Sequence, residues 1–125
     1  MLYYHFSYDT IDCKKHFSGN YDEAKRYLLC TLLSIPNKYL KSMGALCEST
    51  LILELSEADF DSDRFYQYFK TNISPYFYYV VSEISVVNNQ LEFEVNSNKT
   101  LRDNFKNSLQ NIVCDNLLQG IKAEY

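Results

Sequence analysis

The sequence contains no tryptophan, only three glycines and two prolines, and no two cysteines at C-x-x-C spacing. So little Gly and Pro rules out a collagen-like or linker-dominated chain. The two histidines, His5 and His16, are not at H-x₃-H spacing either, so the usual ligand pattern of a structural zinc site is missing. No run is long and apolar enough to span a bilayer, and uncharged stretches such as Ile73–Ser82 are short and polar. The opening MLYYHFSYDT has no basic region before an apolar stretch and does not read as a secretory signal. The expectation is a cytoplasmic protein with no membrane association. Its Cys13, Cys30, Cys47 and Cys114 would then be reduced and act as small hydrophobic side chains. Gly-rich phosphate loops, a G-x-S-x-G elbow and H-E-x-x-H are absent as well, which removes the conventional kinase, serine-hydrolase and metalloprotease readings.

What the chain does have is aromatic mass. Twelve Tyr and eight Phe in 125 residues, with 46 % apolar residues, are enough for one domain with a real core. Charge is unevenly spread around a net −4. Residues 1–44 carry six Lys/Arg against four Asp/Glu, residues 45–94 two against nine, and residues 95–125 four against three. An acidic middle argues against tight, sequence-independent nucleic-acid binding, which needs a basic footprint. Any phosphate contact falls to the local patch Lys14, Lys15, Lys25 and Arg26.

Periodicity gives the element order. Leu2–Tyr8, rich in Tyr and Phe, reads as a strand buried on both faces, Thr10–Asn20 as a loop, and Ala24, Tyr27, Leu28, Leu32 and Ile35 as the buried stripe of a helix capped by Asn20 or Ser18 and stopped by Pro36. Lys38–Met43 reads as a short strand, Gly44 as a turn, and Ala45–Leu55 as a half-buried strand. The acidic loop Glu57–Asp63 leads into a short helix over Phe65–Ile73, which Pro75 closes. Tyr76–Val87 is the strongest strand pattern, and Asn88-Asn89-Gln90 folds it back on Leu91–Val95 as a hairpin. Asn98 or Thr100 caps a last helix with Leu101, Phe105, Leu109, Ile112, Val113 and Leu117 on one face. This order predicts an α+β, ferredoxin-like two-layer sandwich over residues 1–97, an antiparallel sheet with two helices on one face. A C-terminal strand and helix are added, with 98–125 packed on the domain or on a dimer partner. An open, aromatic sheet edge predicts a homodimer.

Three segments resemble a known family. Tyr4-His5-Phe6-Ser7-Tyr8-Asp9 resembles the first strand of Cas2-like proteins, which ends in an aromatic residue followed by Asp. Glu48-Ser49-Thr50-Leu51-Ile52-Leu53 resembles the central strand of a small branch of that family, and Tyr78–Ile84 with Leu91–Val95 resembles its last strands. The resemblance implies a nucleic-acid-associated homodimer, a metal-dependent ribonuclease or a toxin–antitoxin component. In that reading Asp9 is the catalytic and metal-binding residue, and it binds Mg²⁺ or Mn²⁺ together with its symmetry mate to cleave RNA or DNA. His16 is a further acid/base candidate, and Tyr3, Tyr4, Tyr76, Tyr78 and Tyr79 could offer stacking faces to bases. The competing expectation is a non-enzymatic protein-binding module or inhibitor. It would act through the acidic 45–94 surface, with Glu54, Glu57, Asp59, Asp61 and Asp63 mimicking phosphates.

Overall fold

The structure, a computed structural model, describes residues 1–114 and Tyr125. Its centre is β1 (Leu2–Thr10), which pairs antiparallel with β3 (Thr50–Leu55) on one side and β4 (Phe77–Ile84) on the other. With β2 (Leu40–Cys47) outside β3, the sheet runs β2-β3-β1-β4, antiparallel throughout. Alternation along β1 explains the layering. Tyr4 and Phe6 face the core and are buried, while Tyr3, His5, Ser7 and Asp9 face the other way.

The core face is covered by α2 (Tyr21–Leu33) and α3 (Ser62–Asn72). Asn20 caps α2 by accepting from the Glu23 N–H, and Asp61 caps α3 by accepting from the Arg64 N–H. Two phenols tie the helices together: Tyr68 Oη donates to the Thr31 carbonyl at 2.6 Å, and Tyr27 Oη donates to the Asn72 carbonyl at 3.1 Å. Burial pushes the Tyr68 phenol up to about 12, from the ordinary value near 10. The unfolded chain therefore loses this proton first, and the stability it contributes is complete below pH 10 and lost as pH rises towards 12. Urea unfolding at pH 11 should show about 1 kcal/mol less stability from Tyr68 than at pH 8. The same difference in Tyr68→Phe as in the wild-type chain would contradict this assignment.

Several sequence expectations need correction. The stretch read as a loop contains a short helix, α1 (Cys13–Phe17), started by Asp12 accepting from the Lys15 N–H. One turn is too short to show helical periodicity. The strand read as Ala45–Leu55 is two strands. Gly44 lies inside β2, and the reversal falls at Glu48 and Ser49. Side chains alternate on both sides of a tight reversal, so the pattern continued straight through the turn. The Asn88-Asn89 reversal does occur, with φ of 53° and 62°, the left-handed geometry a two-residue hairpin requires. It joins only β5 (Val86–Val87) to β6 (Gln90–Leu91), a separate small ribbon, and the chain beyond Leu91 is irregular rather than a strand.

The last helix, α4 (Lys99–Asn111), is capped by Asn98, as its sequence predicts. It packs on its own domain, along β2, with Phe105 buried and the Lys25 ammonium 5.9 Å from the Phe105 ring centre. Ile112 and Val113 lie beyond its end, and Leu117 lies outside the described residues. The cysteine expectation also changes. Cys30 on α2 is joined to Cys114 in a disulfide, leaving buried Cys13 and exposed Cys47 as thiols. Eighty-four residues separate the two partners, and a contact of that range leaves no trace in local spacing.

Candidate functional site

Asp9 is the penultimate residue of β1, on the open face of the sheet, opposite Tyr78 of β4. It is exposed, and its Oδ1 accepts the N–H of Thr10 at 2.9 Å, leaving Oδ2 to solvent. Its surroundings on that face are Ser7, Tyr78 at 65 % exposure and Val80 at 59 %. The neighbouring Tyr8 points into the core. Burial, with the charge of Glu48 added, pushes its phenol up to about 12, so it stays protonated at neutral pH and cannot act as a base beside Asp9.

The basic candidates differ in their surroundings. Lys14 and Lys15 are exposed on α1, which starts close after β1, and neither forms a salt bridge among the described residues. Lys25 lies on the helix side of the sheet, against α4 and in a cavity of about 130 Å³ with Tyr8 and Thr10. Arg26 is engaged: its guanidinium pairs with Glu23 at 2.8 Å and donates to the Val113 carbonyl at 2.9 Å. Of the four residues expected to form one phosphate patch, Arg26 is thus engaged and holds the chain after α4. His16 packs edge-on against Tyr76, 5.1 Å between ring centres. Of the tyrosines considered for base stacking, Tyr4 is buried and Tyr78 is the most open.

From Ser7 away from Asp9 along the open face runs a polar network that the sequence reading missed. His5 Nε2 is 2.7 Å from Ser7 Oγ, Ser7 Oγ is 3.1 Å from Thr50 Oγ1, and His5 Nδ1 is 3.4 Å from Ser82 Oγ. The irregular segment Glu92–Val95 lies here and borders an open cavity of about 350 Å³ lined also by His5, Thr50 and Ser82. The signal was present in β1, where two polar residues alternate with Tyr4, Phe6 and Tyr8. The open face is thus bordered by this segment at the His5 end, while Tyr78 and Val80 stand exposed beside Asp9.

The acidic surface is partly structural. Asp61 caps α3, and Glu57 pairs with the amino group of Met1 at 2.7 Å. Among the described residues no group of three or more His, Cys, Asp or Glu side chains is arranged to hold a metal ion. One chain offers one free carboxylate at Asp9. Mg²⁺ is commonly held by one or two carboxylates, with waters and substrate phosphates completing the shell, so Asp9 of one chain fits as one such ligand and Asp9 of a second copy would add another. No helix among the described residues is long and apolar enough to cross a membrane. No family model, curated protein or solved structure matches the chain.

Proposed function

We propose that the protein is a Cas2-like, cytoplasmic, nucleic-acid-associated homodimer, a divalent-cation-dependent endonuclease of RNA or DNA in which the two copies join open face to open face at their Asp9 ends. The observation that carries this reading is the bare end of the open face, where exposed Tyr78 and Val80 flank an exposed Asp9. The strand order β2-β3-β1-β4, with α2 and α3 packed on one side, supports a ferredoxin-like arrangement. Burying Tyr78 and Val80 against the same residues of a second copy brings the two Asp9 carboxylates towards each other. A Mg²⁺ or Mn²⁺ ion bound there supplies a water of lowered pKa and a counter-charge for phosphate. Asp9 would hold that ion through oxygen, and Lys14 and Lys15 on the adjacent α1 would contact phosphates of the strand.

A second arrangement supports the other reading, a non-enzymatic protein-binding module. The outer edge of β4 carries eight regular residues with Glu83 as its one charge, and neither Pro nor Lys protects it. A partner strand added there leaves two β1 strands three strand spacings apart, roughly 14 Å. Carboxylates so separated cannot share one ion, and recognition would then fall to the acidic 45–94 surface. Light scattering with Val80→Lys discriminates. The face-to-face dimer predicts twice 14.7 kDa for the wild-type chain and 14.7 kDa for the variant, because a lysine would be buried unpaired in the interface. A dimer that persists in Val80→Lys favours the edge arrangement.

A further inference from the structure

Helix α4 is poorly seated. Alongside it lies an open groove of about 380 Å³, bounded by Leu101, Asn104, Phe105 and Ser108 on α4 and by Ala45 and Cys47 on β2. Near its last turn, Leu109 borders a second cavity, of about 120 Å³, against Leu40 and Met43. Phe105 is the one α4 side chain that is buried, with Leu101 and Leu109 partly so. A 13-residue helix has little stability alone and needs its packed face. The chain just past the helix is held instead by bonds to α2: the Cys30–Cys114 disulfide, and the Arg26 guanidinium on the Val113 carbonyl.

We propose that Cys30–Cys114 is a redox latch, whose reduction by a cellular dithiol frees α4 and uncovers the flank of β2 while the rest of the domain stays folded. Cys30 is wholly buried and Cys114 is partly exposed, so the incoming thiolate attacks Cys114 Sγ. The sulfur–sulfur bond breaks, Cys30 leaves as a thiolate and takes up a proton. The reductant's second thiol then displaces Cys114 from the mixed disulfide, so the reductant ends as its own disulfide and the protein gains two thiols. The sheet does not depend on this bond, because β1, β3 and β4 are joined by their own ladders and α3 is tied to α2 by the Tyr68 and Tyr27 hydrogen bonds. Disulfides in reducing compartments are mostly transient and redox-sensing, which suits a cytoplasmic protein. The nuclease reading plays no part in this inference beyond the compartment.

Hydrogen exchange read by mass spectrometry on the full chain tests it, before and after dithiothreitol. Alkylation verifies two thiols before treatment and four after, since the chain has four cysteines. Amides of residues 99–111 should exchange on the order of 100-fold faster after reduction and those of 40–47 should also accelerate, with β1, β3, β4 and α3 unchanged. Cys114→Ser without reductant should reproduce the reduced pattern. Unchanged exchange over 99–111 in the fully reduced chain overturns the proposal, since α4 would hold without the bond. Loss of protection throughout overturns it too, making the bond a staple for the whole fold. Four alkylated thiols in protein isolated without reductant would mean that the latch does not form.

Discussion

Asp9→Asn should reduce divalent-cation-dependent cleavage of RNA or DNA by on the order of 1,000-fold or more, while leaving the melting temperature unchanged. The substitution keeps the shape of the side chain, and an amide oxygen can still accept the Thr10 N–H that Asp9 Oδ1 accepts now. What disappears is the negative charge that a hard cation requires. Because Asp9 is exposed and caps no helix, the loss of activity cannot be explained by a loss of fold. Cleavage that survives in Asp9→Asn, or in excess chelator, removes Asp9 from the chemistry.

Phe6→Ala should cost about 3–5 kcal/mol in urea unfolding, as emptying a buried aromatic site does. Phe6 is fully buried on the central strand, and its ring centre lies 5.2 Å from Phe69 on α3, 5.7 Å from Tyr8 and 5.9 Å from Tyr79 on β4. It therefore joins both neighbours of the core at one point. A domain of ordinary stability, about 5–15 kcal/mol, loses much of its margin. Val80→Ala, on the exposed face of β4, should cost under about 0.5 kcal/mol in the isolated chain. Equal effects at the two positions would mean that the core is not where alternation along β1 puts it.

That β1 is a strand was readable, but its burial on both faces was not borne out: Tyr4 and Phe6 face the core, while His5 and Ser7 face the open side, because its many aromatic residues masked the polar alternation. Helices α2 and α3 were readable because caps and apolar spacing agree, and the Asn88-Asn89 turn because its left-handed geometry demands such residues. The β2–β3 reversal was misplaced because Gly44 looked like a turn, whereas Glu48-Ser49 carries no residue that demands one. A Cβ at position 44 would meet the side chain of Ile52 at 3.5 Å, ordinary contact, so this glycine marks no special backbone. The strand expected over Leu91–Val95 stopped at Leu91, and Glu92, Phe93, Glu94 and Val95 all border the His5 cavity instead of pairing in a ladder.

The site was legible in the same uneven way. Asp9 as the end of a strand and Lys14 and Lys15 as free cations follow from local sequence. Arg26 could have been discounted from Glu23 three residues before it, the spacing that lets two charges meet on a helix. The disulfide could not, since only the fold brings Cys114 to Cys30.

Mn²⁺ titration followed by electron paramagnetic resonance tests the central claim most directly, because it counts ions per chain. The account predicts saturation at about one ion per two chains in a dimer and no saturable binding in Asp9→Asn. One ion per chain in a monomer of 14.7 kDa, or the same binding in Asp9→Asn, would contradict a site shared between two copies.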